Sequence, residues 1–241
     1  MNVLVDDGHL SNIAKAIRAK LGVETTYKPS EMAMAITKIS GGGETAFEEV
    51  PGFFLCSNSA PAFEDGWIGP FSNGSQYIVP RKNGEIVKPD WRQPFEIQVA
   101  FQVSSSVSHS QVLFGAQQHY YYCPSIELSS NLQGIWCGFT TNGSNWDYSL
   151  SFSQEEFPIL LDTEIIVRAR WDGVNYSVTL TCEDTTVSKS ITPSAVHYYN
   201  ASYHLEFGGI STSSNHCATY VKINLRKTRM LQGGEVLWGE G

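Results

Sequence analysis

The side chains best suited to binding a ligand lie in two aromatic runs, HYYY at 119–122 and HYYN at 197–200, and in the segment NGSNWDY between them. Flat rings stack on the C–H faces of sugars, and amide and carboxylate groups fix sugar hydroxyls. Strand alternation buries at least one ring of each run and assigns Trp146, Tyr148 and Trp171 to the core. The remaining candidate glycan-binding residues are Tyr121, Tyr199, Asn142, Asn145 and Asp147. A surface of Tyr, Ser and Asn for subunit contact is equally compatible with these residues.

The patterns that hydrolytic chemistry needs do not occur in the sequence. Glycoside hydrolysis requires two carboxylates about 5–9 Å apart, but the position two residues after Glu96 is a glutamine and the position two residues after Glu206 is a glycine. Neither GxSxG nor HExxH occurs. The histidines fall near predicted loops or wet faces, where we expect solvated or hydrogen-bonded rings. We therefore expect no catalytic residue, no metal ion and no cofactor, and a protein that is not an enzyme.

The charge and cysteine content of the chain exclude several classes of partner. It has 24 acidic and 16 basic residues and a formal net charge of -8, which is not the basic footprint of a nucleic-acid-binding protein. No apolar run approaches the roughly 20 residues of a membrane span, so we expect no membrane insertion. The start of the chain carries Asp6 and Asp7 in place of a basic export signal, and its 5 cysteines are far apart. We therefore expect free thiols in a protein folded in the cytoplasm.

Beyond Pro51 the apolar pattern has the period of two that is typical of strands with one buried and one solvated face. The clearest alternating segments are Phe95–Val103, Trp146–Phe152, Ile165–Trp171, Tyr176–Cys182, Tyr203–Phe207 and Val221–Leu225. Two earlier strands are predicted near Phe53–Cys56 and Gln76–Val79. Turn signals such as Asp172-Gly173, which favours a hairpin turn over a calcium site, separate the segments. This pattern predicts a mainly β fold, an antiparallel two-sheet sandwich.

The first 40 residues have a different period, with apolar side chains spaced three and four residues apart as on one face of a helix. Because two short helices bury little area alone, we predict that residues 1–40 form a helical hairpin that serves attachment or oligomerisation. The residues expected to make these contacts are Leu10, Ile13, Ile17, Leu21, Met32, Ile36 and Ile39. Residues 41–50, which open with a run of glycines, are predicted to be a linker. Residues 51–241 are then the sandwich domain.

The segment LSNIAKAIRAKLGVETTYKPSEMAMAITKIS at residues 10–40 resembles the short helix-turn-helix module of many bacteriophage tail and fibre proteins. The matching residues are Leu10, Ile13, Ala14, Ala16, Ile17, Arg18, Lys20, Gly22, Pro29, Met32, Ala33, Ile36 and Ile39. In that family the module stands at the N-termini of virion proteins, in front of varied β domains. The resemblance therefore implies an attachment module at the start of a virion protein.

Residues 51–241 resemble the concanavalin A-like, or laminin-G-like, jelly roll in the stretches FEIQVAFQV, QVLFGAQ, IIVRARWDGVNYSVTL, YHLEFGGIS and ATYVKINLRKTRM. Together the two resemblances imply a bacteriophage virion structural protein of the tail-fibre or receptor-binding type, with a lectin-like domain for adhesion to the host surface. The partners they imply are other virion proteins, copies of this chain in a homo-oligomer such as a trimer, and a bacterial surface glycan. The implied location is the virion, assembled in the host bacterial cytoplasm.

Two alternatives to adhesion stay open at the level of the sequence. One is a purely structural capsid-decoration, head-fibre or baseplate subunit with no glycan ligand. The other is a glycoside hydrolase, against which the missing carboxylate pair argues. The jelly-roll sandwich hosts lectins, hydrolases and structural modules alike, so the fold alone does not choose between them.

Overall fold

The structure is a computed structural model. It describes residue 15 and residues 53–55, 61–71, 76–82, 85–106, 108–116, 124–144, 146–200, 203–209 and 217–239. The chain divides into two compact units, Met1–Glu44 and Thr45–Gly241. In the first unit the described residue is Lys15, which is helical and exposed. The remainder of the predicted helical hairpin, with its attachment residues, lies outside the described residues and stays a prediction.

The second unit is built from short antiparallel strands. In chain order these are β1 (Phe53–Leu55), β2 (Phe63–Glu64), β3 (Trp67–Ile68), β4 (Ile78–Lys82), β5 (Glu85–Ile86), β6 (Phe95–Val103), β7 (Gln111–Ala116), β8 (Ser125–Leu128), β9 (Gly134–Phe139), β10 (Tyr148–Ser153), β11 (Ile165–Trp171), β12 (Tyr176–Cys182), β13 (Thr185–Ile191), β14 (Leu205–Phe207), β15 (Val221–Gln232) and β16 (Glu235–Trp238). The 3-10 turn Ser130–Leu132 connects β8 to β9.

The strands form two sheets. The first has the order β1-β4-β14-β7-β8-β9-β10, with β5 paired to β4, and the second has the order β13-β12-β11-β6-β15-β3-β2, with β16 paired to β15. The non-consecutive neighbours show that the chain crosses repeatedly between the sheets, as in a sandwich built from long-range pairings. This architecture confirms the predicted fold class, a mainly β chain with two antiparallel sheets.

The core lies between the two sheets and follows the alternation of the sequence. Val167 of β11 lies opposite Val99 of β6 and Leu180 of β12, and all three side chains are fully buried. Burying each such side chain stabilises the fold by about 1.5–3 kcal/mol. Trp171 is also buried, as predicted. The side chains between these positions point away from the core, so each sheet presents an outer face.

Two polar residues that the sequence assigns to solvent are buried in the structure. His197 was expected near a solvated loop, but the residue is 2% exposed. Its ring is enclosed by aromatic side chains that come from different strands, which a local pattern cannot reveal. Glu206, on the predicted wet face of β14, is fully buried, and its Oε1 lies 3.1 Å from Nε2 of His204.

Three cysteines in the described residues, Cys137, Cys182 and Cys217, are free and buried. Burial raises the pKa of the Cys217 thiol to about 11, which keeps it protonated and unreactive near neutrality. Cys56 and Cys123 lie outside the residues whose side chains the structure describes. None of the described helical residues belongs to a helix long and apolar enough to span a membrane.

Candidate functional site

Strand β9, with the sequence GIWCGF, presents a large aromatic ring on the outer face of the first sheet. Ile135, Cys137 and Phe139 point inward and are buried. The alternate positions point outward, and they hold Trp136 with one glycine on each side of it, Gly134 and Gly138. Trp136 is 47% exposed. Since its neighbours along the strand have no side chains, the indole ring lies partly open to solvent on β9, the strand next to the edge strand β10.

A second indole, that of Trp146, lies beside Trp136. A Cβ atom placed on Gly138 would come 2.9 Å from Cδ2 of Trp146, so this ring packs directly over the glycine. The centroids of the Trp136 and Trp146 rings are 6.4 Å apart, and their planes are inclined by 43°. We call Trp136 and Trp146 the tryptophan platform.

The position of Trp146 corrects the expectation that it belongs to the core. Strand β10 begins at Tyr148, two residues later than predicted. Tyr148 does face inward, where its ring stacks on Phe139 at 5.4 Å. Trp146 precedes the strand, so its direction is set by the loop and not by strand parity, and it turns to the outer face.

Small hydroxyl side chains lie on one side of the tryptophan platform. Ser151 of β10 is opposite Trp136 in the strand register, and Ser149 is opposite Gly138. Both serines are exposed. Hydroxyls of this kind can donate to and accept from the hydroxyls of a ligand that rests on the rings.

A carboxyl group lies on the other side of Trp136. Glu127 of β8 is opposite Trp136 in the register, and it is only 6% exposed. Burial disfavours its charged form and raises the pKa of Glu127 to about 7. Its Oε1 atom has no hydrogen-bond partner among the described residues.

The loop between β9 and β10 carries Trp146 and is held by Asp147. Oδ1 of Asp147 accepts a hydrogen bond of 2.8 Å from the backbone N–H of Thr141, and Oδ2 accepts one from the Thr141 hydroxyl. The amide of Asn142 donates to the same Oδ2 over 3.4 Å. These bonds join the start of the loop to Asp147, the residue after Trp146. Asp147 therefore fixes the backbone from which the Trp146 ring extends.

Asn142 has a comparable role at the tip of the loop. Its Oδ1 accepts hydrogen bonds from the backbone N–H of Ser144 at 2.9 Å and from the Ser144 hydroxyl at 2.6 Å. The Thr140 hydroxyl donates to the same oxygen over 3.0 Å. These bonds occupy the polar groups of Asn142 within the loop. The structure therefore gives Asn142 and Asp147 a positioning role, and contact of either residue with a ligand stays a prediction.

The HYYN run does lie against this loop, through a residue that was not among the candidates. The backbone N–H of Tyr198 donates to the carbonyl of Thr140 over 2.8 Å, and the Tyr198 ring covers Gly143. Tyr199 contacts Arg92 instead, with the guanidinium carbon 4.7 Å from the ring centroid. Tyr121 and Asn145 lie outside the described residues.

The sequence analysis does not single out Trp136, because the signal of its strand is short. GIWCGF has only three inward positions, and its glycines weaken a strand prediction. The signal that could have revealed the platform is the order of the outward residues, which are glycine, tryptophan and glycine. This order leaves the tryptophan ring without side-chain neighbours on its own strand. No group of three or more His, Cys, Asp or Glu residues able to hold a metal ion occurs in the described part of the chain.

Comparisons with known proteins support the fold. No protein-family model matches the sequence, and no curated protein does. Among solved structures, the enzymatically active domain of tailspike protein 2 of bacteriophage CBA120 is similar with a TM-score of 0.56 and 10% identity, over 80% of this chain and 30% of that one. The full-length tailspike protein 2 from an Escherichia coli O157:H7 bacteriophage is similar with a TM-score of 0.53 and 10% identity. This match covers 80% of this chain and 27% of the tailspike chain.

A toxin domain shares the same architecture. The binding domain of botulinum neurotoxin DC, in complex with SialylT, has a TM-score of 0.51 and 12% identity, over 80% of this chain and 44% of that one. The chain thus spans less than half the length of each of these structures. At such low identity the similarity shows a shared jelly-roll sandwich fold and nothing finer.

Proposed function

We propose that this chain is a non-enzymatic bacteriophage virion protein of the tail-fibre or receptor-binding type, whose sandwich adheres to a host-surface glycan. The observation that carries the proposal is the tryptophan platform. Adjoining apolar side chains on a protein surface mark interaction sites more often than single exposed ones do, and here two indoles lie side by side. The flat indole of Trp136, with Ser149 and Ser151 beside it, matches the alternating C–H faces and hydroxyls of a sugar.

Adhesion is favoured over hydrolysis because only one of the two register partners of Trp136, Glu127 and Ser151, has a carboxyl group. A glycosidase needs two carboxylates that reach the scissile bond from both sides. Glu127 is the carboxyl group aligned with Trp136 in the strand register, and it is buried. The similarity of the sandwich to a tailspike domain supports a virion protein, and the tailspike's enzymatic activity is not carried over to this chain.

The proposed mechanism is multivalent. One or two stacked rings supply only a few kcal/mol, so a single site should have a Kd on the order of 0.1–1 mM. Linking several copies raises the effective concentration of each site and increases avidity by about 10²–10⁴-fold. In this proposal the N-terminal module supplies the linkage, either to other virion proteins or to further copies of the chain.

The experiment that tests adhesion uses the full-length protein on an array of bacterial surface polysaccharides. We expect the wild type to bind, and Trp136→Ala to lose about tenfold or more in apparent affinity with a nearly unchanged Tm, because exposed residues add little to stability. The matched control is Tyr220→Ala, which removes another exposed aromatic ring, 42% accessible, away from the platform. It should bind like the wild type.

Two results would contradict the proposal. If the wild type binds no polysaccharide on the array, the chain is a structural subunit without a glycan ligand. If Trp136→Ala and Tyr220→Ala both bind as the wild type does, the protein adheres through another surface. Cleavage of a bound polysaccharide by the wild type would overturn the non-enzymatic assignment.

A further inference from the structure

The outer face of the second sheet, on the side of the sandwich opposite the tryptophan platform, is rich in basic side chains. The cations on this basic face are Arg168, Arg170, Lys222, Lys227 and Arg229. The carboxylates among them are Glu64, Glu96 and Glu164, and Asp172 lies beside Arg170 at the edge of the face. The face therefore has an excess of positive charge on a chain whose formal net charge is -8. Such an excess on one surface attracts anionic partners and is not explained by the proposed adhesion site.

The arginine at the centre of the basic face is held in place. Nη2 of Arg168 donates to Oε1 of Gln98 over 2.8 Å, and the Gln98 amide donates to the carbonyl of Lys227 over 2.8 Å. Nε of Arg168 also lies 3.4 Å from Oε1 of Glu96. Gln98 is itself 9% exposed, so this chain of bonds anchors the guanidinium to the sheet. A guanidinium fixed in this way loses little entropy when it binds an anion.

The second arginine stands at a cleft. Arg170 is exposed and makes no hydrogen bond to any described residue. It lines a cleft of about 560 Å³ together with Glu96, Asp172 and Leu231. Gly233 and Gly234 form part of the wall, and a Cβ placed on either would have no atom within 4 Å, so that side of the cleft is open. The cleft can thus receive part of a chain that extends along the face.

Rows of hydroxyl groups continue the basic face across β12 and β13. In the strand register Arg168 lies opposite Thr179, which lies opposite Ser188, and their hydroxyls are 2.9 Å apart. The neighbouring rows pair Ser177 with Ser190 and Thr181 with Thr186. A ligand on this face therefore meets cations first and hydroxyl groups beside them.

The composition of the face selects among anionic partners. Single-stranded nucleic acid is bound on successive aromatic rings, whereas the described strands of this face present one outward ring, that of Trp67, in the row of Asn224, Ala100 and Ile166. A stable protein interface needs an apolar centre, whereas the large apolar side chains here, Trp67, Ile166 and Leu231, are partly buried and do not adjoin one another in the strand register. A hydroxyl-rich chain with regularly spaced carboxylates matches both the arginines and the hydroxyl rows.

We propose that the basic face binds an acidic polysaccharide. Arg168 and Arg170, two residues apart on one strand and therefore about 7 Å apart, bind carboxylates, while Thr179 and Ser188 bind sugar hydroxyls. This site is separate from the tryptophan platform, and it does not depend on the function proposed for the platform.

The test measures binding of the full-length protein to polygalacturonate, with neutral dextran as the uncharged control. We expect polygalacturonate to bind to the basic face and dextran not to bind there. The affinity for polygalacturonate should fall as the ionic strength rises. Arg170→Gln should weaken polygalacturonate binding by about tenfold, and Arg168→Gln with Arg170→Gln by more. Because Arg170 makes no hydrogen bond to a described residue, the single variant tests the site without risk to the fold.

Two controls separate this proposal from its alternatives. Lys88→Gln removes one exposed positive charge outside the basic face and should bind as the wild type does. Trp136→Ala should retain polygalacturonate binding, which distinguishes failure of the platform from failure of this face. Equal affinity of Arg170→Gln and wild type would overturn the proposal. Equal binding of single-stranded DNA and polygalacturonate would overturn the assignment to a polysaccharide.

Discussion

At the scale of single residues, His197 is a buried titratable group enclosed by aromatic rings. Its imidazole stacks on Phe139 with the centroids 3.8 Å apart, and the rings of Phe95, Trp171 and Tyr176 meet it edge-on at 4.9–5.8 Å. Neither ring nitrogen has a hydrogen-bond partner among the described residues. Burial disfavours the imidazolium and lowers the pKa of His197 to about 3, from an ordinary value of 6.5.

The lowered pKa of His197 predicts a loss of stability in acid. Above pH 6.5 the imidazole is neutral in both states and its contribution is fully present. As the pH falls towards 3, the imidazole binds a proton in the unfolded chain but not in the native state. The free energy of unfolding therefore falls by about 1.4 kcal/mol per pH unit. Between pH 6.5 and pH 5 we therefore expect the free energy of unfolding to fall by about 2 kcal/mol through this residue.

The matched variant His197→Phe isolates this effect. Phenylalanine keeps the aromatic packing and has no proton to bind, so the acid-induced loss should be about 2 kcal/mol smaller in the variant than in the wild type. Chemical denaturation of both proteins at the two pH values measures the difference. Burial of Glu127, which raises its pKa to about 7, acts with the opposite sign but equally in both proteins. Identical pH dependence in the two would show that His197 is not protected from protonation.

At the scale of elements, the loop between β9 and β10 decides whether the tryptophan platform exists. The bonds from Thr141 and Asn142 to Asp147 fix the chain one residue beyond Trp146. Asp147→Ala should therefore release the indole from Gly138 and lower glycan binding by about tenfold, at a cost of about 0.5–1.5 kcal/mol in the free energy of unfolding. Array binding and denaturation of the same variant measure both quantities.

The conservative variant Asp147→Asn separates positioning from ligand contact. Its amide oxygen can still accept from the Thr141 N–H, and its amide nitrogen can donate to the Thr141 hydroxyl. If Asp147 positions the loop, Asp147→Asn binds as the wild type does. If the asparagine variant loses binding as fully as the alanine variant while the fold is intact, the carboxylate touches the ligand, as the sequence predicted.

The elements also show what the sequence could and could not predict. The strands Phe95–Val103, Ile165–Trp171 and Tyr176–Cys182 have the predicted bounds because each alternates cleanly. Strand β13, with the sequence TTVSKSI, was missed because it is a polar edge strand whose position is set by pairing with β12. Pairing partners are long-range, so the basic face, which joins side chains of β6, β11 and β15, could not be read from any one segment.

At the scale of the whole molecule, the sandwich has two unlike outer faces. One has the tryptophan platform and exposed serines, and the other has arginines, lysines and hydroxyl rows. Both faces are the solvent sides of strands whose inward residues form the common core, so substitutions on either face leave the fold largely intact. Two binding surfaces on one domain, repeated over several copies, would allow weak single contacts to give strong adhesion.

In the proposed function the strength of adhesion depends on copy number, and so on the N-terminal unit. The core of the sandwich belongs to Thr45–Gly241, which is a compact unit of its own. Deleting residues 1–40 should leave a soluble protein with the Tm of the sandwich in the full-length chain, but as a monomer. Binding to a glycan-coated surface should fall by about 10²-fold or more, while the single-site Kd for the same glycan in solution stays within about twofold.

Light scattering gives the mass of each protein, and surface and solution binding give the two affinities. The control is full-length Trp136→Ala, which should keep the mass of the wild-type assembly and lose the single-site affinity. The two defects are thus opposite, because one protein keeps the site and loses the assembly while the other keeps the assembly and loses the site. A truncated protein with the same mass as the full-length assembly would show that the sandwich itself oligomerises and that residues 1–40 have another role.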